Sequence, residues 1–259
     1  MSELTRKQRE IQQRDELILN VSRSLFIEHG YHNVTMDLIA KQVEYSKGTV
    51  YQHYASKEAI ISALCMRFGT HVLSWFEQAV ADDSVPCYVK MLMIMESEIV
   101  IHEYASADHD LITLFKSQAF SSKVDDSILQ KMNGNIEQII RLVHEVVGEA
   151  EASGELVIQS PATIDSITMG CWAMIEGTYE IADKHTYEKG NFTAKQIKQV
   201  MRANCLMFLK GCGWQSIPLQ SDGQVSLDPD YRQKIQDFKH YCCTQIDQMY
   251  QPAHRQLEI

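Results

Sequence analysis

The chain has 259 residues, of which 45% are hydrophobic and 22% are charged, and its formal net charge at neutral pH is −10. This composition is that of an ordinary soluble globular protein and excludes disordered, collagen-like and low-complexity chains. Apolar runs are short and interrupted by charge, so we expect no membrane span, and the first ten residues lack the apolar core of a secretory signal. The sequence therefore predicts a cytoplasmic protein with one large domain, or with a small and a medium one.

Charge is distributed unevenly between two parts of the chain. Residues 1–60 contain eight Lys and Arg against eight Asp and Glu, whereas residues 61–259 contain 16 against 26. The first part is therefore neutral, and the second carries the whole net charge of −10. Only the first part can approach a phosphate backbone without net repulsion.

Seven cysteines are spread along the chain, and no two of them have C-x-x-C spacing. Most stand among apolar neighbours in stretches with helical periodicity. We therefore expect no disulfide framework, but small buried side chains in a reducing compartment. The adjacent Cys242 and Cys243 leave a redox or metal-binding role open.

The first 60 residues predict a long helix followed by two short ones. An apolar stripe with helical spacing ends at Gly30, a residue type that commonly ends helices. Thr35 and Ser46 are placed to cap the two short helices, the second of which runs to about Tyr54. Ser56 then caps the beginning of a longer apolar helix.

Helical periodicity continues through the rest of the chain, whereas the alternation typical of strands does not recur. We expect Ser160 to cap a helix with Pro161 in its first position, and Thr193 and Gln196 to form a capping box. A stretch with two prolines and a glycine, at 216–230, predicts a linker before a last amphipathic helix. The other helices are predicted at about residues 85–105, 107–121, 124–152, 161–183 and 193–212. The sequence therefore predicts an all-α fold.

Three helices between residues 15 and 55, with a tight turn between the second and third, have the arrangement of a helix-turn-helix. In that motif the second helix crosses the DNA backbone and the third enters the major groove, which is about 12 Å wide. Thr35, at a helix N-terminus, offers a hydroxyl and main-chain N–H groups to a phosphate. Gly48 is a poor helix former, so we expect the backbone there to approach another surface closely. Hydrogen-bonding side chains on or beside the third helix are Lys47, Thr49, Tyr51, Gln52, His53 and Lys57.

The motifs of this segment resemble the signature of the TetR family of bacterial transcription regulators. The matching stretches are 25–31 (LFIEHGY), 35–40 (TMDLIA), 46–54 (SKGTVYQHY) and 56–58 (SKE), and the resemblance covers about residues 15–62. It implies a homodimer in which each chain has an N-terminal DNA-binding head and a larger helical body. Ligand binding in the body would change the spacing of the two heads and release the operator.

Position by position, the resemblance implies which residues contact DNA. Base-facing positions fall on Tyr45, Lys47, Gly48, Thr49 and Gln52, with a structural or solvated role left open for Tyr45 and Gln52. Backbone contacts fall on Thr35, Tyr51, His53 and Lys57. Ser46, at the start of the third helix, completes the set of predicted DNA-binding residues.

The sequence departs from the family pattern in the turn between the second and third helices. The family usually has a glycine there, and this chain has Glu44. A non-glycine residue at positive φ costs about 1 kcal/mol, and a carboxylate near phosphate is repelled. We therefore expect the turn geometry or the operator affinity to differ from the family norm.

The body implied by the resemblance needs a ligand pocket, and about 140 residues of helix can enclose one. Met side chains supply adaptable walls, and Trp and Tyr suit flat or cationic ligands. Glu176 is a candidate to neutralise a cationic inducer, with solvent exposure or an interface ion pair as the alternative. The candidate lining residues, for which core packing is the alternative, are Met91, Met95, Phe115, His144, Met169, Trp172, Glu176 and Tyr179.

Gly170 and Gly177 share a face of the helix predicted at 161–183, which would let another helix approach closely. The resemblance implies dimerisation through the last two body helices. We therefore assign 161–183 and 193–212 to the homodimer interface, with close packing inside one subunit as the alternative.

The sequence lacks the catalytic motifs that we searched for, including H-E-x-x-H, Glu-x-x-His, the phosphate-binding loop, the dinucleotide fingerprint and G-x-S-x-G. The best metal candidate is the stretch 98–110, in which Glu98 and His102 share a helix face, but a solvated helix end explains the rest of it. We predict no enzyme activity, no cofactor and no bound metal.

These patterns predict a DNA-binding head at 1–60, a ligand-sensing and dimerisation domain at 61–215, and a linker with an additional helix at 216–259. The predicted function is a ligand-responsive regulator, a repressor that binds a palindromic operator as a homodimer. A small-molecule inducer would release it, and no membrane is involved. The alternative is a helical dimer that senses a metal or ligand, or mediates protein interactions, without operator binding.

Overall fold

A computed structural model describes residues 5–183, 193–218 and 226–250. Among these residues there is no strand, only an isolated antiparallel bridge between Leu156 and Trp214. The all-α prediction is therefore confirmed. The helices are α1 (Arg6–Asn33), α2 (Met36–Gln42), α3 (Lys47–His53), α4 (Lys57–Val80), α5 (Cys87–Tyr104), α6 (Ser106–Lys116), α7 (Gln118–Ser121), α8 (Asp126–Ser153), α9 (Ile164–Asp183), α10 (Ala194–Gly211) and α11 (Pro229–Met249).

The described residues group into two units. The first contains the residues up to Thr70, those from Ala105 to Asn133, and those from Gln245 onward; the second contains the remainder. Helices α4, α8 and α11 each contribute residues to both units. The division of the chain at 60 and 215 stays a prediction.

Side-chain caps begin the helices of the first unit. Thr35 Oγ1 accepts from the Leu38 N–H at 3.2 Å, and Ser46 Oγ accepts from the Thr49 N–H at 3.1 Å. Ser56 Oγ likewise accepts from the first turn of α4, at 3.1 Å. Each cap satisfies a main-chain donor that a helix leaves free at its N-terminus. The three predicted starts are therefore confirmed.

Gly30 interrupts α1 three residues before its end. Its φ of 74° and ψ of 158° lie outside the helical region, and a side chain is strained at such an angle. The continuous apolar stripe of α1 therefore stops where the sequence predicted, and only a short turn follows before α2. Behind this stripe, Ile18, Ile39, Val50 and Ile60 are fully buried and form part of the core of the first unit.

Two predicted helix boundaries are wrong. Ser160 does not cap α9 and Pro161 is not its first residue, because Thr163 Oγ1 accepts from the Ser166 N–H while Ser166 Oγ accepts from the Thr163 N–H. This reciprocal cap starts the helix at Ile164. The helix predicted at 107–121 is two helices, since Ser117 is extended, with φ −66° and ψ 139°.

Other predicted elements are confirmed. Thr193 and Gln196 form the expected capping box of α10. The last amphipathic helix is present as α11, although Asp228 caps it and Pro229 is its first residue. The predicted linker lies partly outside the described residues, at 219–225.

None of the seven cysteines forms a disulfide, and six of them are buried. Burial raises the pKa of the Cys205 thiol to about 11 and that of Cys242 to about 12. Such thiols stay protonated at neutral pH and are poor nucleophiles. The prediction of buried cysteines without disulfides is therefore confirmed.

By length and composition alone, α4 qualifies as a membrane span, and among the described residues it is the one helix that does. Most of its apolar side chains are buried, including Ile61, Leu64, Phe68 and Trp75. A core helix of a soluble protein passes the same test, so this helix is weak support for a membrane role.

The second unit is held by packing between α9 and α10 and by buried charges. Glu96, 8% exposed, accepts two hydrogen bonds from the Arg202 guanidinium, at 2.6 and 2.7 Å. Lys90, 2% exposed, pairs with Glu149 at 3.1 Å. Because each buried charge has a partner, the desolvation cost of burying it is offset.

The two glycines of α9 have different surroundings. A Cβ on Gly170 would clash with the Phe208 ring of α10, whereas a Cβ on Gly177 would meet nothing within 4 Å. At Gly170 the close approach is therefore to the neighbouring helix of the same subunit, and Gly177 has open space beside it.

We expect Gly170→Ala to be about 1–2 kcal/mol less stable than Gly177→Ala. The first must displace the Phe208 ring, while both gain the helix propensity of alanine. Urea unfolding followed by circular dichroism measures the difference. Equal stabilities of the two variants would contradict the described packing of α9 on α10.

Candidate nucleic-acid interface

Helices α2 and α3 are joined by the four-residue turn 43–46. Val43, in this turn, and Val50, in α3, are buried, which fixes α3 against the core of the first unit. The opposite face of α3 is left to solvent. A short helix of this kind, supported from behind and free in front, has the geometry needed to enter a major groove.

The exposed face of α3 carries several of the side chains predicted to contact DNA bases or phosphates. Tyr51 and Gln52 are exposed, and among the described residues neither side chain has a hydrogen-bond partner. Lys47 Nζ lies 2.6 Å from Asp37 Oδ2, and both side chains are more than 60% exposed. An exposed ion pair stabilises by at most about 1 kcal/mol, so the ammonium can exchange this carboxylate for a DNA acceptor.

Gly48 has room for a side chain. A Cβ there would meet only Ser46 Oγ, at an ordinary contact distance of 3.8 Å. Packing inside the described chain therefore does not require glycine at this position. The expectation that the backbone approaches another surface here is compatible with this space and stays a prediction.

The remaining predicted residues of this region are partly engaged within the chain. Thr35 and Ser46 use their hydroxyls as helix caps, and the Ser46 hydroxyl also lies 2.8 Å from the Thr49 hydroxyl. Tyr45 is half-buried. His53 is also half-buried, with Nδ1 3.3 Å from Asp15 Oδ1. The structure thus brings all ten predicted DNA-binding residues into one region of the first unit, at α2, α3 and the start of α4.

Lys57 closes the end of α1. Its ammonium donates to the carbonyl oxygens of Tyr31 at 2.7 Å and Val34 at 3.0 Å, and it lies 4.2 Å from the centre of the Tyr31 ring. The carbonyl groups at a helix C-terminus have no partner inside the helix, and a cation there satisfies them. An ammonium has three protons, so one remains for a phosphate.

Glu58 adds a second link between the end of α1 and the start of α4. Burial alone would raise the pKa of Glu58, but a 2.6 Å hydrogen bond from the Tyr31 hydroxyl, together with a main-chain N–H, Ser56 and Lys57, lowers it. The carboxylate is therefore ionised at neutral pH. Sequence reasoning assigned Glu58 only to the first turn of α4, because its partner Tyr31 lies 27 residues away.

Glu44 adopts the strained turn geometry that its position predicts. Its φ is 58°, and it is the one described residue other than glycine with a positive φ. The side chain is exposed. The conformation costs about 1 kcal/mol in a residue with a Cβ, so the chain retains a measurable strain between α2 and α3.

A cavity of about 710 Å³ lies beside this turn, inside the first unit. Helix α1, Gln42 with the turn that follows it, and Tyr250 line this cavity, which is open to solvent. Sequence patterns alone do not reveal this cavity, because its walls come from three separate stretches of the chain. Its lining residues are Leu17, Asn20, Val21, Arg23, Ser24, Gln42, Val43, Glu44, Tyr45 and Tyr250.

The candidate ligand-binding residues of the body are not all brought together. Phe115 lies in the first unit and the other seven lie in the second. Met91 and Met95 are buried in α5, whereas Met169 is half exposed. His144 Nε2 lies 3.2 Å from Asp165 Oδ1.

The aromatic candidates of α9 have specific partners. Trp172 Nε1 donates to Glu176 Oε1 at 3.0 Å, so the carboxylate is held within the helix. Tyr179 stacks on His102 with ring centres 3.3 Å apart, and among the described residues its buried hydroxyl has no hydrogen-bond partner. Burial raises the pKa of Tyr179, so this hydroxyl is a neutral donor.

Among the described residues, no group of three or more His, Cys, Asp and Glu side chains could hold a metal ion. Two members of the acidic stretch 98–110 are paired with cations instead. Asp108 accepts from Arg23 at 2.8 and 2.6 Å, and Glu103 accepts from Lys198 at 2.7 Å.

Residues 18–64 match the family model for the N-terminal domain of the bacterial regulatory proteins of the tetR family. A similar protein is the HTH-type transcriptional regulator UidR of Escherichia coli strain K12, with 38% identity over 63 residues. These residues are 24% of this chain and 32% of UidR, so the chain spans about a third of the length of that relative.

Longer similarities are weaker in sequence. The HTH-type transcriptional regulator QacR of Staphylococcus aureus strain Mu50 is 26% identical over 153 residues, which are 58% of this chain and 77% of QacR. The SmeT–triclosan complex has a similar fold, with a TM-score of 0.61 at 16% identity, and the match covers 83% of this chain and 99% of SmeT. The described fold, a helix-turn-helix head with a larger helical body, is therefore that of known regulators.

We expect Glu44→Gly to raise the free energy of unfolding by about 1 kcal/mol, because it removes the strain at positive φ. Glu44→Ala removes the charge but keeps a Cβ, and we expect no gain from it. Urea unfolding compares the two variants with the parent chain. An equal gain from alanine would assign the effect to charge and contradict the backbone explanation.

We expect Lys57→Met to lower the free energy of unfolding by about 2 kcal/mol, because two carbonyl groups lose a charged donor. Lys47→Met is the matched control, since its exposed pair with Asp37 is worth about 1 kcal/mol or less. Thermal and urea unfolding measure both variants. Similar losses in the two variants would show that Lys57 does not hold the end of α1.

Proposed function

The N-terminal part of the chain belongs to the TetR family of bacterial regulatory proteins, and on that premise we propose a ligand-responsive transcriptional repressor. It binds a palindromic operator as a homodimer and leaves it when a small-molecule inducer binds. The observation that carries this proposal is the exposed face of α3, supported from behind by buried Val50 and lined with Lys47, Tyr51 and Gln52. We place the protein in the cytoplasm, where the operator is, and propose no enzyme activity.

Contacts with DNA divide into two kinds. Lys47, Thr49 and Gln52 reach base edges from α3, while Tyr51 and the third proton of Lys57 reach phosphates beside the groove. His53, whose Nδ1 faces Asp15, offers Nε2 to a phosphate. The half-sites are spaced so that the two α3 helices enter successive major grooves about 34–36 Å apart.

The homodimer interface is proposed on α9 and α10. Four large apolar side chains on these helices are between 41% and 64% exposed: Met169, Ile181, Val200 and Met207. Burial of each of these side chains at an interface would stabilise a dimer by about 1–2 kcal/mol. Gly177, which has space beside it, would let the partner helix approach.

The inducer pocket is proposed in the second unit, near α5 and α9. The buried hydroxyl of Tyr179, which has no partner among the described residues, would donate to an acceptor on the ligand, because an unsatisfied buried donor costs about 1–3 kcal/mol. A neighbour in fold, SmeT, forms a complex with triclosan, which is consistent with a small aromatic ligand here. Phe115, in the first unit, is not part of this proposal.

A second candidate function is favoured by Glu44 alone. A carboxylate in the turn before α3 repels phosphate, and a dimer that senses a ligand or binds a protein without an operator would tolerate it. That candidate predicts normal folding and dimerisation, but no salt-dependent affinity for DNA.

Selection from a random DNA duplex pool at moderate salt tests the proposed function. We expect the parent chain to enrich a palindrome, and its affinity to fall steeply with salt. We expect the Tyr51→Ala, Gln52→Ala double variant to enrich none, because it removes two of the proposed DNA contacts. Among the described residues neither side chain has an internal hydrogen bond, so we expect the variant to fold as the parent chain does. Exposed Lys131→Ala, on α8, is the control and should behave as the parent.

The outcomes separate the candidates. No enrichment by a folded dimer would overturn the repressor proposal as stated. Enrichment by Glu44→Gly alone would identify a head disabled by the carboxylate and support the second candidate. Equal enrichment by the double variant would remove Tyr51 and Gln52 from the interface.

A further inference from the structure

The cavity beside the helix-turn-helix turn has two kinds of wall. Leu17, Val21 and Val43 supply an apolar surface, and the polar part includes the Glu44 carboxylate and the rings of Tyr45 and Tyr250. A volume of about 710 Å³ is within the range of small-molecule sites in proteins. All of its lining residues belong to the first unit, so it is separate from the inducer pocket proposed in the second.

The positive charge in this cavity is already balanced. Arg23 donates to both carboxylate oxygens of Asp108, at 2.8 and 2.6 Å, and the Tyr250 ring covers its guanidinium at 3.6 Å. Asp108 is 4% exposed, which makes this pair costly to break. The nearby Arg67 guanidinium donates to Asn20 Oδ1 at 3.1 Å and is not part of the lining.

The negative charge is not balanced. Among the described residues, no ion pair or side-chain hydrogen bond engages the Glu44 carboxylate. It is also the charge that the backbone holds at a strained positive φ of 58°, where glycine would be relaxed. Strained residues are concentrated at functional sites, and such an outlier is a reason to look for a ligand.

We propose that this cavity is a second binding site, for a small lipophilic organic cation. The apolar walls hold the hydrocarbon part, the Glu44 carboxylate neutralises the charge, and the Tyr45 ring stabilises the cation through its π electrons. A neutral molecule of the same size gains the apolar contact alone. The cavity therefore prefers a quaternary ammonium compound to an uncharged analogue.

Occupation of this cavity would act on the turn that positions α3. The turn residues 43–45 form one of its walls, so a bound cation contacts the backbone that joins α2 to α3. It would also cancel the one carboxylate in the turn that repels phosphate. The site would thus adjust DNA binding from within the head, independently of the inducer pocket.

Isothermal titration of the full chain, without DNA, tests the proposal with benzyltrimethylammonium as the probe. N,N-dimethylbenzamide, an uncharged soluble molecule of similar size, is the control ligand. We expect a dissociation constant of about 0.1–1 mM for the cation, which is reasonable for a ligand this small, and at least threefold weaker binding of the amide. Because no DNA is present, failure here is distinguishable from failure of operator binding.

Three variants locate the binding. We expect Glu44→Gln to weaken the cation about three- to tenfold and leave the amide unchanged, as the loss of a partly exposed ion pair implies. Ser24→Trp, at an exposed lining position of α1, should fill the cavity and weaken both compounds. Glu137→Gln, at an exposed position of α8 outside the cavity, should change neither.

Each other outcome overturns the proposal. Equal binding of the two compounds, or a cation affinity unaffected by both Glu44→Gln and Ser24→Trp, would exclude recognition at this cavity. Weaker cation binding in Glu137→Gln but not in Glu44→Gln would place the cation outside this cavity. No detectable heat with either compound at millimolar concentration would show that the cavity is not a cation site.

Discussion

The first unit depends on one buried ion pair. It is assembled from three stretches of chain that are far apart in sequence, and the bidentate contact between Arg23 and Asp108 joins two of them across 85 residues. Tyr250, from the third stretch, lies on the same guanidinium at 3.6 Å. Removal of one partner from a buried pair leaves an uncompensated charge, at a cost of about 3–5 kcal/mol. The framework behind the helix-turn-helix therefore rests on a contact outside the motif itself.

Local signals in the sequence sufficed for the motif. Thr35, Ser46 and Ser56 each cap a helix through a main-chain N–H three residues ahead, which is an interaction that four adjacent residues determine by themselves. The positive φ of Glu44 was expected for a different reason, because the family that the sequence resembles usually has glycine at this position of the turn. The failure at Ser160 has the opposite origin. Ser160 and Thr163, which are three residues apart, could each cap the helix. Thr163 does so because its reciprocal hydrogen bonds with Ser166 satisfy two groups at once.

The other interactions at the candidate sites could not be predicted from the sequence, because they join residues that are far apart along the chain. The pairing of Glu96 with Arg202 spans 106 residues, and helical periodicity alone makes Glu96 an anomaly in an apolar run. Phe115 is of a residue type that commonly lines ligand pockets, but it lies in the first unit. The sequence predicts a phosphate contact for Lys57. Its two hydrogen bonds to carbonyl groups at the end of α1 depend on the start of α4 lying beside that end, which local patterns do not reveal. Residue type limits the interactions that a side chain can make, and its neighbours in the folded chain determine which of those interactions forms.

The strained turn at Glu44 has a consequence for the genetics of this protein. Glutamate and glycine codons differ only at the middle base, so the relaxed form of the turn is a single nucleotide change away. Any population of this gene under selection for a more stable head has that step within immediate reach. Glutamate is therefore present at position 44 although a single nucleotide change would replace it with glycine. Substitution of glycine at this codon is an informative change to look for.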